Sequence, residues 1–207
     1  MCSFNSNKNV PAGVRDVDII LVNYNCTDNL IGCLKSVYDT VDKSLVNVLV
    51  WDNSSVDNPE RITELFPEVN VLWNACNIGF GRAVNRCLRF CTAPYIVLIN
   101  PDTVVHAGFF TESLGFMQSR PDVAILGPKI YDKDGHIEGS ARSFPTPLTA
   151  LFGRRSLLTR IFPRNSITSS NLLTTYSDGS TPMEVDWVCG ACMVIRKTAI
   201  DQVGVFD

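Results

Sequence analysis

The chain has 207 residues, 45% of them hydrophobic and 19% charged, and carries a net charge of −3 at pH 7. That is enough for one α/β domain with a core and a smaller addition. The charge leaves no general basic footprint for nucleic acid, and no apolar run approaches the length of a membrane span.

Residues 1–15 are polar, rich in Asn and Ser, and lack the apolar centre of a signal peptide, so they read as the flexible leader of a cytoplasmic protein. The first predicted strand, Val17 to Val22, is apolar except for Asp18, as a strand covered on both faces should be. It ends in Asn23-Tyr24-Asn25. Thr27 or Asp28 can cap the helix that follows, whose Leu30, Ile31, Leu34, Val37 and Tyr38 recur at helical spacing. A second strand, Leu45 to Trp51, ends in Asp52-Asn53-Ser54-Ser55, and Asp57-Asn58-Pro59 reads as the start of another helix. A third strand, Val69 to Trp73, leads through Asn77-Ile78-Gly79-Phe80-Gly81 into a helix over Arg82 to Phe90. The fourth, Ile96 to Ile99, is ended by Asn100-Pro101-Asp102. Strand and helix therefore alternate through residues 16–103, which predicts an α/β fold with a mainly parallel sheet and helices on both faces.

Residues 104–207 are less regular. A helix is expected over Phe109 to Met117, a strand over Val123 to Ile130, and a hairpin turn over Tyr131 to His136. About residues 144–181 a Ser-, Thr-, Pro- and Arg-rich insertion reads as functional or mobile. Val185 to Ile195 supplies one or two strands around Gly190, and a short helix begins near Arg196.

The eight cysteines read as free thiols in the absence of a secretory signal. Cys189 and Cys192 have a redox-like spacing. Their flanks look extended rather than helical, however, and no second pair completes a zinc site.

The carboxyl ends of parallel strands line the crevice where α/β sheets bind ligands. Three polar groups fall there: Asn23 to Asn25, Asp52 to Ser55, and Asn100 to Asp102. Asp52 could accept from a base N–H or from ribose hydroxyls. Asp102 suits a hard divalent cation, Mg²⁺ or Mn²⁺, although Pro-Asp is also ordinary turn chemistry. Gly79 and Gly81 open a helix whose N-terminus favours a phosphate; taken singly, each glycine is better explained by a helix start that simply needs room. No Gly-Lys-Ser/Thr follows them and no dinucleotide fingerprint follows the first strand, which argues against an ATPase and a dehydrogenase.

Five segments in order resemble the inverting GT-A glycosyltransferases of family two, in particular their rhamnosyltransferase-like branch. They are Ile19 to Asn25, Val50 to Ser55, Asn77 to Asn85, Leu98 to Asp102, and Val185 to Arg196. The resemblance implies a GT-A fold and transfer of sugar from a UDP- or dTDP-sugar to a glycan or polyprenyl-linked acceptor in polysaccharide biosynthesis. It implies that Tyr24, Asn25, Asp52 and Asn53 hold base and ribose, and that Asn77, Gly79 and Arg82 line the ribose and pyrophosphate side. Asn100 and Asp102 would stand for the family's DxD-type motif, with Asp102 the metal ligand. Asp186 and the Gly190 turn would face sugar or acceptor. The family's carboxylate base follows the segment that here reads Val203 to Asp207. It is therefore expected beyond Asp207, with Asp186, Glu184 and Asp207 as weak substitutes. Residues 104–207 would then be a truncated acceptor-side half, and a donor-binding module without catalysis is the alternative reading. A nucleotidyltransferase is disfavoured, because no Gly-rich basic loop follows the first strand. Arg154, Arg155, Arg160 and Arg164 among apolar residues read first as an amphipathic helix with a solvated side, with contact to an acceptor's pyrophosphate or to the inner membrane face as the alternative.

Overall fold

The computed structural model describes residues 4–6, 16–138, 140–142, 144 and 181–207. In chain order the elements are β1 (Phe4–Ser6), β2 (Val17–Asn23), α1 (Thr27–Thr40), β3 (Val46–Asp52), α2 (Arg61–Leu65), β4 (Asn70–Asn74), α3 (Phe80–Leu88), β5 (Tyr95–Ile99) and α4 (Phe109–Ser119). They continue with β6 (Ile125–Leu126), β7 (Ala141–Arg142), β8 (Trp187–Val188), β9 (Cys192–Arg196) and α5 (Lys197–Val203). The arginine cluster of residues 154–164 lies outside the described residues, as does the insertion apart from Phe144 and Thr181.

Seven strands form one sheet in the order β1-β4-β3-β2-β5-β9-β6. Its centre is parallel, β4-β3-β2-β5, with Asn23 in register with Asp52. The flanks are antiparallel: β1 on β4, and β9 between β5 and β6. Part of the presumed leader, Phe4–Ser6, is thus a strand. Every residue of β2, β3 and β5 is buried, as near-continuous apolar runs require. The α1 stripe Leu30, Cys33, Leu34 and Val37 packs into the core with Ile19, Leu21 and Val97. Truncating one such leucine to alanine costs about 2–5 kcal/mol.

Asp18, Asn47 and Asn70 form one hydrogen-bonded row inside this core. At the amino end of β2, buried Asp18 accepts from Asn47 Nδ2 (2.6 Å) and from the N–H groups of Thr92 (2.6 Å) and Ala93 (2.8 Å). Asn70 Nδ2 extends the row to Asn47 Oδ1 at 2.8 Å. Buried polar groups are kept only with such partners. At the carboxyl end of β9, the Arg196 guanidinium donates to Met117 O and Arg120 O at the end of α4 and to Val123 O beyond it.

The chain divides into two compact units, Met1–Leu126 with Gly190–Asp207, and Gly127–Cys189. The second holds the β7–β8 pair and the expected turn, closed by the Tyr131–Ile137 bridge and by Asp132 N–H donating to His136 O. The strand expected over Val123 to Ile130 shrinks to Ile125–Leu126. Gly127 packs against Val188, where an added Cβ would come within 2.7 Å of Val188 Cγ1, and Pro128 has no N–H for a ladder.

Candidate functional site

The parallel centre brings the loops after β2, β3 and β4 to one rim, and hydrogen bonds join them. Asn25 N–H donates to Ser55 Oγ (3.0 Å), and its Oδ1 accepts from Val56 N–H (2.9 Å). Asn53 N–H donates to Asn23 O (2.8 Å). The Asn53 side chain reaches the other way, donating to Asn77 Oδ1 (2.7 Å) and accepting from Ile78 N–H (2.9 Å). The three non-glycine residues with positive φ among the described residues, Asn25 (53°), Ser54 (70°) and Asn58 (60°), all lie in the loops after β2 and β3. Such conformations cost free energy and cluster at functional sites.

Asp52 is buried, and both its oxygens are engaged: Oδ1 by Ser55 N–H and Oδ2 by Asn23 Nδ2, each at 2.9 Å. It therefore fixes its own loop, whatever else it meets. Tyr24, beside it on the rim, is half exposed. Asn23 is a member that sequence reasoning undervalued: its amide also donates to Ser55 Oγ (3.0 Å) and Thr27 Oγ1 (3.2 Å). Its place at the end of an apolar strand was the available signal; its complete burial shows only in the folded sheet.

The two helices that start on this rim differ. α1 begins at Thr27, with neither Thr27 nor Asp28 as its cap. The cap comes from the neighbouring loop: Asp57 accepts from Thr27 N–H and from Thr27 Oγ1, each at 2.8 Å. Asp57 therefore does not open α2, which starts only at Arg61 after the Pro59–Glu60 turn. Burial pushes the Asp57 carboxyl up. The two Thr27 hydrogen bonds and the Arg61 cation outweigh this, so its pKa ends below the usual aspartate value. α3 starts two residues earlier than the sequence suggests, at Phe80, with Gly79 at φ 83° as its cap residue. An added Cβ at Gly79 would meet nothing within 4 Å. Asn77 Oδ1 takes the Gly79 N–H (2.8 Å). Among the described residues nothing accepts from the N–H groups of Phe80, Gly81 and Arg82, and no carboxylate pairs with exposed Arg82.

Asp102 is exposed in the turn after β5, closed by Thr103 N–H donating to Asn100 O (3.1 Å). Its side chain makes no hydrogen bond or ion pair among the described residues. Asn100 N–H donates to Ala191 O (2.8 Å), so the turn after Gly190 holds the end of β5. The Cys26 thiol, at the start of α1, is raised by burial and then by the charges of Asp57, Asp102 and Asp52, against a lowering hydrogen bond at Tyr24. The three carboxylates thus act on one point of the rim. Cys33 is pushed up to about 12 by burial, with Asp102 adding.

Asp186 lies in the second unit, where its Oδ2 accepts from Phe144 N–H (2.8 Å). Glu184 and Asp207 are exposed. Asp132, Asp134 and His136 place ligand atoms within 4.8 Å of one another, but Asp132 Oδ1 is already taken by the N–H groups of Asp134 and His136. Cys189 and Cys192 are free thiols. Cys76 is disulfide-bonded, a departure from the expectation of thiols throughout. Among the described residues no helix is long and apolar enough to cross a membrane.

A mainly parallel α/β sheet with a polar rim at its carboxyl ends belongs to the class of folds whose ligands sit at that edge. The chain belongs to glycosyl transferase family 2, whose family model matches residues 18–204. The N-acetylglucosaminyl-diphospho-decaprenol L-rhamnosyltransferase of Mycobacterium tuberculosis is 30% identical over 174 residues, 78% of this chain and 55% of that protein. The amylovoran biosynthesis glycosyltransferase AmsE of Erwinia amylovora is 26% identical over 131 residues, 61% of this chain and 49% of that protein. The chain thus spans about half the length of these relatives. Among solved structures, the mannosyltransferase PcManGT from Pyrobaculum calidifontis, in complex with GDP-Man and Mn²⁺, superposes with a TM-score of 0.62 at 16% identity, over 95% of this chain and 49% of that one. S. aureus TarS 1–349 gives 0.58 at 16% identity, over 90% and 48%.

Proposed function

We propose that this chain binds a nucleoside diphosphate sugar along the rim of β2 to β5 and serves as the donor side of an inverting glycosyltransferase. The sugar would go to a glycan or polyprenyl-linked acceptor. The observation that carries this reading is the start of α3. Three unaccepted N–H groups, a glycine at positive φ and an unpaired arginine there suit a diphosphate. Tyr24 is exposed enough to stack on a base, and Asn25, Asp52 and Asn53 border the place where a ribose would lie. Family membership, and the naming of UDP-GlcNAc and GDP-Man in complexes of fold neighbours, support the same class of donor.

Asp102 fits a divalent cation: an exposed carboxylate, free of other partners among the described residues, in a rim already negative from Asp52 and Asp57. When bound, Mg²⁺ or Mn²⁺ would offset charge on the departing diphosphate. Asn100, with an amide in the other position of the motif, adds no second charge.

The test is a thermal-shift panel of UDP-, dTDP- and GDP-sugars with and without Mn²⁺, since ligands that bind the native state raise its apparent stability. At least one donor should raise the melting temperature more with Mn²⁺ than without, and Asp102→Ala should abolish the metal-dependent part. A flat panel sinks the donor reading; an unchanged metal-dependent shift in the variant removes Asp102 from the site. Sugar transfer measured on the same protein then separates an enzyme from a donor-binding module.

A further inference from the structure

The segment after α5 is seated on α3 by one side chain. Gly204, at φ 97°, turns the chain out of α5. Two residues later Asn85 Nδ2 donates to Phe206 O (2.5 Å), and Asn85 Oδ1 accepts from Phe206 N–H (3.0 Å). The amide thus pairs with both backbone groups of one residue, as a neighbouring strand would. Asn within a helix is otherwise unfavourable, because its side chain competes for backbone partners. Here the competition is resolved by a partner 121 residues away.

One turn nearer the helix start, on the same face, a Cβ added to Gly81 would lie 3.0 Å from Asp207 O. The seated chain therefore runs from Asn85 towards the first turn of α3, and Gly81 is the residue that lets it pass. This gives the two glycines of the loop different work: Gly79 supplies a backbone conformation beside open space, and Gly81 supplies clearance for another segment.

We propose that Asn85 is a positioning residue that holds Gly204–Asp207 along α3 and so steadies the helix turn whose free N–H groups would receive the diphosphate. This rests on the donor reading above. Seating and nucleotide binding then share the first turn of α3, and each should favour the other; by linkage the two effects are reciprocal.

Amide hydrogen exchange at Phe206, measured with and without UDP, dTDP or GDP plus Mn²⁺, tests this. In Asn85→Ala, Phe206 should exchange about tenfold faster while the Cys87 and Leu88 amides of α3 are unchanged. Asn85→Asp keeps the acceptor for Phe206 N–H but repels the carbonyl, and should fall between. Gly81→Ala provides a second route that leaves Asn85 intact. Alanine favours a helix, so propensity alone predicts tighter exchange, whereas crowding of Asp207 O predicts faster exchange at Phe206. Bound nucleotide should slow Phe206 exchange in the unmodified protein, and Asn85→Ala should weaken that nucleotide about threefold or more.

Unchanged Phe206 exchange in both Asn85→Ala and Gly81→Ala overturns the seat. Faster exchange with nucleotide affinity unaltered leaves a purely structural contact and overturns the positioning role. If none of the nucleotides binds the unmodified protein, the donor reading fails, and the positioning role with it. The exchange rates without ligand still decide the seat.

Discussion

The starts of α1 and α3 lie on one sheet rim, each after a parallel strand, and each lacks a cap from its own cap residue. Both helices present the positive end of their dipole there, equivalent to roughly half a charge. The molecule treats them in opposite ways. At α1 the field is met from within, by Asp28 in the first turn and by Asp57 reaching across from the next loop. At α3 there is no acidic residue in the first turn, a cation is added at Arg82, and Asn53 and Asn77 brace the loop without occupying the N–H groups of Phe80, Gly81 and Arg82. A helix start closed by the protein's own carboxylate is a fixture of the fold. One left open, with glycine at its head, is where the proposed diphosphate would be received.

Breaking α3 should therefore cost binding, and breaking α1 should cost stability. Arg82→Ala should show the largest separation. Loss of a charge-assisted hydrogen bond is worth about 1.5–3 kcal/mol, which is about ten- to a hundredfold in nucleoside diphosphate affinity by calorimetry. The melting temperature without ligand should barely move, since the side chain is exposed and unpaired among the described residues. Equal affinity in the variant would make α3 no different from α1. Gly79→Ala comes next. No atom obstructs the new methyl, so the whole penalty is the backbone: φ 83° with ψ 164° is a region essentially reserved to glycine and costs another residue about 1–3 kcal/mol. It should appear in the urea midpoint together with weaker nucleotide binding, because relaxing the φ moves the amides that follow.

This contrast was only half legible in the sequence. The strands were plain because β2, β3 and β5 are apolar runs long enough to cross a sheet, and the α1 stripe keeps strict helical spacing. Asn77 to Gly81 could be singled out as a glycine-bearing helix start. The sequence could not distinguish Gly79 from Gly81, since one is set by φ and the other by a segment 121 or more residues away in the chain. Asp57 read as the start of its own helix, because local capping rules look forward along the chain; its actual partner, Thr27, is 30 residues back. That reach exists only because β2 and β3 lie side by side in parallel. Asn85 gave no sign beyond being a poor helix residue. The strand expected over Val123 to Ile130 failed for a local reason that could have been weighed, the Gly127-Pro128 pair.

The smallest expected effect is at the closed helix start. Asp57→Ala removes the cap on Thr27 and should lower stability by about 1 kcal/mol. Nucleotide affinity should stay within about twofold, by the near-additivity of separate sites. The acid limb of the stability curve shows whether the carboxylate itself is responsible. The folded-state pKa of Asp57 lies below the ordinary value: burial raises it, and the Thr27 hydrogen bonds and Arg61 more than reverse that. A carboxyl depressed on folding contributes stability that is fully present above its unfolded pKa and is lost as pH falls through the folded value. The gap between the original protein and Asp57→Ala, measured by urea midpoint, should hold steady from neutral pH down to the ordinary aspartate range and close below it. Asp57→Asn should retain part of the gap, since one amide oxygen can still accept from Thr27, but without the acid-dependent part. A gap constant through the acid range would mean that the start of α1 is held by shape alone, and the opposition between the two helix starts would lose its electrostatic basis.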